Sequence, residues 1–187
     1  MTKMGYIYLY YGTGGGKTTS ALGLALRSIG HKHRVVVVQF MKWSEETGEF
    51  KIKDMLQGYF EIRQFGKPGW LRLGMEEPKR ETLDLKTREP SERDREAARE
   101  GLKYAENVLK EDKTNLLILD EICLAAYSGL LTVSEILKLL DRIPEKMIVV
   151  LTGRYAPQEL LDRADFVNRI EEVKAPKEFV NEKGIQY

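Results

Sequence analysis

Cysteine and histidine are the scarcest chemical resources of this chain, with one cysteine and two histidines in 187 residues. A lone Cys123 closes no intrachain disulfide and builds no cysteine cluster for structural zinc, so the chain reads as cytoplasmic, in a reducing compartment. His31 and His33 have no cysteine or motif carboxylate beside them and read as turn residues, not as a metal pair. Net charge is scarce as well: 30 Lys+Arg against 29 Asp+Glu leave +1. That excludes a global field for nucleic acid or an anionic membrane, so any bound anion must be held locally. No run approaches the roughly 18 apolar residues of a membrane-spanning helix. The start, Met1 to Gly5, lacks the apolar stretch and cleavage site of a secretory signal. The length suits one domain, 1–187, and excludes two of full size.

What is present is an alternation of strand and helix patterns. Gly5 to Tyr11 is an aromatic and β-branched run that ends in a glycine-rich turn, the pattern of a buried strand. From Lys17 to Ile29 the apolar residues Leu22, Ala25, Leu26 and Ile29 repeat at helical spacing, with Gly30 as the stop. Val35 to Phe40 is an unbroken apolar run of the kind buried on both faces of a parallel sheet. Phe60 to Phe65 is a weaker strand pattern. Residues 66–90 hold three prolines and three glycines without periodicity and read as a long loop, a lid over the site. Ser91 is an N-cap for a helix to Lys110, with Ala98, Leu102, Ala105 and Leu109 on one face. Leu116 to Glu121 is a strand closed by two carboxylates. Thr132 and Glu135 form a capping-box pattern ahead of a helix to Arg142. Met147 to Thr152, a Pro157-started helix through Ala164 and a strand near Phe166 to Ile170 complete the series. The fold class is α/β: a single P-loop NTPase-like, mostly parallel sheet with helices on both faces.

Gly12-Thr13-Gly14-Gly15-Gly16-Lys17-Thr18-Thr19 lies between the first strand and the first helix, where a phosphate loop belongs. Glycines let backbone N–H groups turn inward, the helix N-terminus adds partial positive charge, and Lys17 adds a full one. Thr18 offers a hydroxyl to Mg²⁺. The pattern GxxxxGK[ST] would put a glycine where this chain has Tyr11, so the loop is one residue short and supports nucleotide binding more firmly than hydrolysis. Asp120 and Glu121 supply hard oxygen ligands for the same Mg²⁺ and also suit the start of a following helix. Ligands of open α/β sheets bind at the carboxyl ends of strands, so the loops after residues 11, 40, 65, 120 and 152 should share one rim.

These residues resemble the P-loop corrinoid adenosyltransferases, which act on cob(I)alamin or cob(I)yrinic acid a,c-diamide. The likeness begins with Gly12 to Arg27 (GTGGGKTTSALGLALR) and continues through Gly30-His31, Gln39-Phe40-Met41-Lys42 and Leu119-Asp120-Glu121-Ile122. It ends with Leu151-Thr152-Gly153-Arg154, Ala156-Pro157, Leu160-Leu161, Ala164-Asp165, Lys174 and Gly184-Ile185-Gln186-Tyr187. A generic ATPase has no reason to share that tail. The resemblance implies transfer of the 5′-deoxyadenosyl group of ATP to reduced corrinoid cobalt with release of triphosphate, in adenosylcobalamin biosynthesis or salvage. It implies Lys17, Thr18 and Glu121 as catalytic residues and a loop from Gly12 to Thr19 around ATP. Phe40, Met41, Lys42, Phe65, Trp70 and Arg154 become candidates for the corrinoid. The partners it implies are ATP, reduced corrinoid, an electron donor such as a flavoprotein, and a second copy in a homodimer. The family's loop usually has Asp or Asn at the position of Thr13 and a lysine at that of Gly15, so this chain lacks one loop cation.

Two other readings compete. A P-loop nucleoside kinase fits the loop and carboxylates, although such kinases commonly carry a cysteine zinc ribbon that one cysteine cannot build. A non-catalytic, nucleotide-gated corrinoid carrier fits the missing loop lysine. Neither histidine is needed for adenosyl transfer, because no general base takes part.

Overall fold

A computed structural model describes residues 5–71, 87–111, 113–176 and 180–185. Six parallel strands form the central sheet in the order β3-β2-β6-β7-β1-β8: β1 (Ile7–Tyr11), β2 (Val35–Phe40), β3 (Phe60–Phe65), β6 (Leu116–Asp120), β7 (Ile148–Gly153) and β8 (Phe166–Arg169). The other two strands, β4 (Trp70–Leu71) and β5 (Thr87–Arg88), make a separate parallel pair at the two ends of the 66–90 segment. The sequence pattern gives no sign of that pair, and residues 72–86 lie outside the described residues.

Alternation along the strands divides the core in two. Val36, Val38 and Phe40 of β2 join Leu117 and Leu119 of β6 on one face, while Val35 and Val37 join Leu116 and Ile118 on the other. Both faces of β2 and β6 are buried, as a continuous apolar run requires. On the first face lie α3 (Glu92–Lys110), α4 (Ile122–Tyr127), α5 (Val133–Leu140) and α6 (Gln158–Arg163), which contribute Ala98, Leu102, Ala105, Cys123, Ile136, Leu139 and Leu160. On the second lies α1 (Lys17–Gly30), through Ala21 and Ala25. The short helix α2 (Gly48–Lys51) runs into a 3₁₀ turn over Ile52–Asp54 and closes the β2–β3 connection.

The expected start signals are present. Thr132 caps α5 with a reciprocal capping box: its N–H donates to Glu135, whose N–H donates to the Thr132 hydroxyl. Ser91 caps α3, its N–H and hydroxyl donating to Asp94 Oδ2 at 2.8 and 2.6 Å. The Arg88 guanidinium forks onto both Asp94 oxygens at 2.6 and 2.7 Å and also donates to the Pro68 carbonyl. One arginine thereby ties both ends of the 66–90 segment to the head of α3. His31 and His33 fall in the turn that ends α1.

Register brings the chemistry to one edge. Tyr11 of β1 lies opposite Gly153 of β7, Leu119 of β6 opposite Leu151 of β7, and Asp120 opposite Gln39 of β2. The carboxyl ends of β1, β7, β6 and β2 therefore stand side by side, and the loops leaving them form one rim.

Candidate active site

A cleft of about 850 Å³ opens on that rim, lined by Thr13 to Thr19, Lys42, Glu49, Glu121, Arg154 and Tyr155 among others. The loop turns into α1 at Gly16, whose φ of 103° is a left-handed conformation that favours glycine. The first N–H groups of α1 have no intrahelical acceptor and face the anion side of the helix dipole. Lys17 is buried and donates from Nζ to the Gly14 carbonyl at 2.6 Å. Burial lowers its pKa, against the opposing pull of Glu121.

Gly12 and Gly14 do a different job from the one the loop pattern predicts. Their N–H groups donate to the carbonyls of Arg154 and Ile170 at 3.1 and 3.0 Å, so these two donors are spent inside the protein. A Cβ at Gly12 would stand 2.3 Å from the Ile170 oxygen, and one at Gly14 would stand 2.6 Å from the Glu171 carbonyl carbon. Both glycines are needed because the chain leaving β8 presses on the loop. Thr13, Gly15, Gly16, Lys17, Thr18 and Thr19 remain along the cleft.

Asp120, at the end of β6, is fully buried and accepts four donors. The hydroxyls of Thr18 and Thr152 reach Oδ1 at 2.8 and 2.7 Å, while Gln39 Nε2 and Lys42 Nζ reach Oδ2 at 3.0 and 2.8 Å. Burial alone would raise its pKa; the Lys42 ammonium and these hydrogen bonds outweigh burial and hold it below the ordinary carboxylate range. On Lys42, burial pulls downward and Asp120 outweighs it, so the ammonium is held above its usual value.

Glu121 follows in a left-handed conformation, φ 64°, which turns the chain from β6 into α4. Its N–H donates to the Thr152 hydroxyl at 2.9 Å. Its side chain lines the cleft with Oε2 buried and without a hydrogen-bond partner, and burial together with Asp120 raises its pKa. Among the described residues, no group of three or more His, Cys, Asp or Glu side chains is arranged to hold a metal ion. The available set is the Thr18 hydroxyl and two carboxylates, hard oxygen donors that fit Mg²⁺, which commonly completes its shell with water and phosphate oxygens. The partnerless Glu121 oxygen is the vacant donor in that set.

The corrinoid candidates scatter. Phe40 is a correction: its side chain is wholly buried under α3, where a Cβ at Gly101 would come within 2.9 Å of its ring, so it cannot face a ligand on the rim. Phe65 packs on the same core and lies 5.7 Å from the Tyr104 ring. Met41, with φ 60°, packs partly into that core and bonds through its N–H to the Phe65 carbonyl. Trp70 begins β4. Lys42 and Arg154 do line the cleft, on the phosphate side. Leu26, expected on the core face of α1, is 67 % exposed along the cleft wall.

Pattern reading missed roles for three residues. Gln39 and Thr152 are fully buried polar groups that orient Asp120, and a polar residue closing a run such as VVVVQF or IVVLT was the available signal. Tyr155, in the cleft wall, stacks on Tyr127 at 4.8 Å, and no periodicity marks it.

Similarity to known proteins extends over most of the chain. The family model described as ATP:corrinoid adenosyltransferase BtuR/CobO/CobP matches residues 3–187. The chain is similar to the corrinoid adenosyltransferase of Escherichia coli (strain K12), 30 % identical over 172 residues that cover 92 % of this chain and 79 % of the relative. It is similar to that of a Sinorhizobium species at 30 % over 93 % of this chain and 75 % of the relative. For the Pseudomonas aeruginosa protein of the same description the identity is 31 %, covering 92 % and 77 %.

Proposed function

Because this chain belongs to the ATP:corrinoid adenosyltransferase family, we propose that the rim cleft holds the triphosphate of ATP and presents its 5′-carbon to a reduced corrinoid. The cobalt electron pair forms the Co–C bond as the bond from C5′ to oxygen breaks, and triphosphate leaves with the electron pair of that C–O bond. No proton moves at the reacting carbon, so the protein aligns the reactants and stabilises the charge of the leaving group.

The observation that carries this reading is the convergence in one cleft of Lys17, the head of α1, the Thr18–Asp120 bond and the unpartnered Glu121 oxygen. Lys17 and the first-turn N–H groups meet the phosphates. Asp120 holds the Thr18 hydroxyl proton, which leaves that oxygen's lone pairs to a cation. Mg²⁺ would be held by Thr18, Glu121 and, through Thr18, Asp120; when bound it offsets the triphosphate charge. The corrinoid is proposed to approach over the ends of β2 and β3, beside Met41 and the segment that starts at Gly66. The resemblance also supports a flavoprotein electron donor and a homodimer, while the lone cysteine supports a cytoplasmic setting and the chain's length and the aperiodic 66–90 segment support a single domain with that segment as its lid. Among the described residues no helix is long and apolar enough to cross a membrane.

The test is spectroscopic: ATP, Mg²⁺ and chemically reduced corrinoid are mixed with the native protein and with Lys17→Ala. Native protein is expected to form the Co–C bond with stoichiometric triphosphate, and the variant to be slower by on the order of 10²-fold. Release of ADP and phosphate with an unchanged corrinoid spectrum would overturn the assignment.

A further inference from the structure

Among the described residues, Lys42 is the cation that both pairs with the buried Asp120 carboxylate and lines the open cleft. Its Nζ lies 2.8 Å from Asp120 Oδ2 and 3.6 Å from Glu49 Oε1. The Glu49 contact is longer than a hydrogen bond, so of the three N–H donors of an ammonium only one has a close carboxylate. The side chain is 29 % exposed and lines the same cleft as Lys17 and Arg154. Glu121 lines the same cleft as these three cations. The loop meanwhile has Gly15 where a second cation would otherwise stand, with nothing within 4 Å of the place a Cβ would take.

We propose that Lys42 is the second triphosphate-binding cation of this site, held in position by Asp120 and supplied from the end of β2 instead of from the loop. This rests on the reading of the cleft as the triphosphate site. A cation anchored by a fully buried carboxylate loses little side-chain freedom when a phosphate arrives, so it binds at a smaller entropic cost than a free surface lysine. It also gives Asp120 two tasks, holding the Thr18 hydroxyl with one oxygen and the Lys42 ammonium with the other. Lys42 thus moves from the corrin face, where the resemblance put it, to the leaving group.

The experiment is calorimetric titration with inorganic tripolyphosphate, without corrinoid or divalent cation, on native protein, Lys42→Met, Lys42→Arg and Lys17→Ala. The expected result is at least tenfold weaker binding for Lys42→Met, partial recovery in Lys42→Arg, and a raised KM for ATP with KM for corrinoid unchanged. Lys42→Met strands the Asp120 charge and risks misfolding, so the double variant Lys42→Met/Asp120→Asn is titrated alongside and is expected to show the same loss. Native-like affinity in both Met-bearing proteins, with Lys17→Ala impaired, would overturn the proposal while leaving the cleft reading intact. Native-like affinity in Lys17→Ala as well would instead overturn the cleft reading. A rise in KM for corrinoid alone would return Lys42 to the corrin face.

Discussion

Asp94 illustrates how much one side chain can carry. It accepts from the Ser91 N–H and hydroxyl and from both arms of Arg88, and the Arg88 hydrogen bonds, against the effect of burial, hold its carboxyl well below the usual range. A depressed carboxylate contributes stability that is complete above its unfolded pKa, near 4, and is lost as pH falls through the lower folded value. Arg88→Ala is therefore expected to destabilise the protein by about 1–3 kcal/mol at neutral pH and to move the acid-unfolding midpoint upward, read by denaturant melts from pH 7 to pH 2. Glu121→Gln removes an ill-solvated charge. It should leave the melting temperature unchanged or higher while transfer falls by on the order of 10²-fold, a split that a purely structural carboxylate would not show. Lys17, Thr18, Asp120 and Glu121 are legible in sequence because the chemistry fixes both their type and their place after a strand. Phe40 was not, because a strand's last apolar residue belongs to the core or to the rim according to which face its Cβ takes, and that depends on the packing of α3.

At the scale of elements, long periodic segments declared themselves, and of the short ones α6 and β8 did so through a helix-starting proline and an apolar run, while others did not. The helices from Lys17 and from Ser91 and the strands β1, β2, β6 and β7 have enough apolar repeats and end signals to be read from the chain. The helices α2 and α4 and the pair β4–β5 run from two to six residues, too short for a period to emerge, and tertiary contacts define them. The face of α1 shows a subtler limit. Of the four apolar residues at helical spacing that marked a core stripe, Ala25 is buried beside Ala21 and Leu22 and Ile29 pack partly against that core while lining the cleft, but Leu26 stands exposed in the cleft wall. A sequence period gives the existence of a face, not what meets it. The phosphate loop is likewise an element shaped by a neighbour. Gly14→Ala would drive a methyl group into the backbone at Glu171. It is expected to weaken ATP binding at least tenfold and cost roughly 1–3 kcal/mol in a urea melt, whereas Gly15→Ala, with open space around it, should leave stability within about 0.5 kcal/mol.

The described residues build a six-stranded sheet with a core on each side and one rim for chemistry, so stability and substrate binding are coupled. A single calorimetric transition is expected, shifted upward by ATP; at 100 times its dissociation constant the ligand adds about 2.7 kcal/mol. Two separable transitions would instead assign part of the chain to a second domain. With a net charge of only +1, the protein has to meet a polyanionic leaving group with a few placed cations, and the cleft gathers Lys17, Lys42 and Arg154. The contact between the phosphate loop and the chain after β8 has a further consequence, for synthesis. The loop is synthesised about 150 residues before its partners, yet the carbonyl that fixes Gly14 belongs to Ile170, and Asp165 closes on Ile7 through paired bonds of 2.7 and 2.9 Å. A growing chain can assemble β1, α1 and β2 early, but its nucleotide loop lacks the contacts that set its shape until Ile170 and Glu171 have emerged. Nascent chains halted before residue 165 should therefore fail to retain ATP, and those extended beyond residue 172 and clear of the exit tunnel should acquire it in one step.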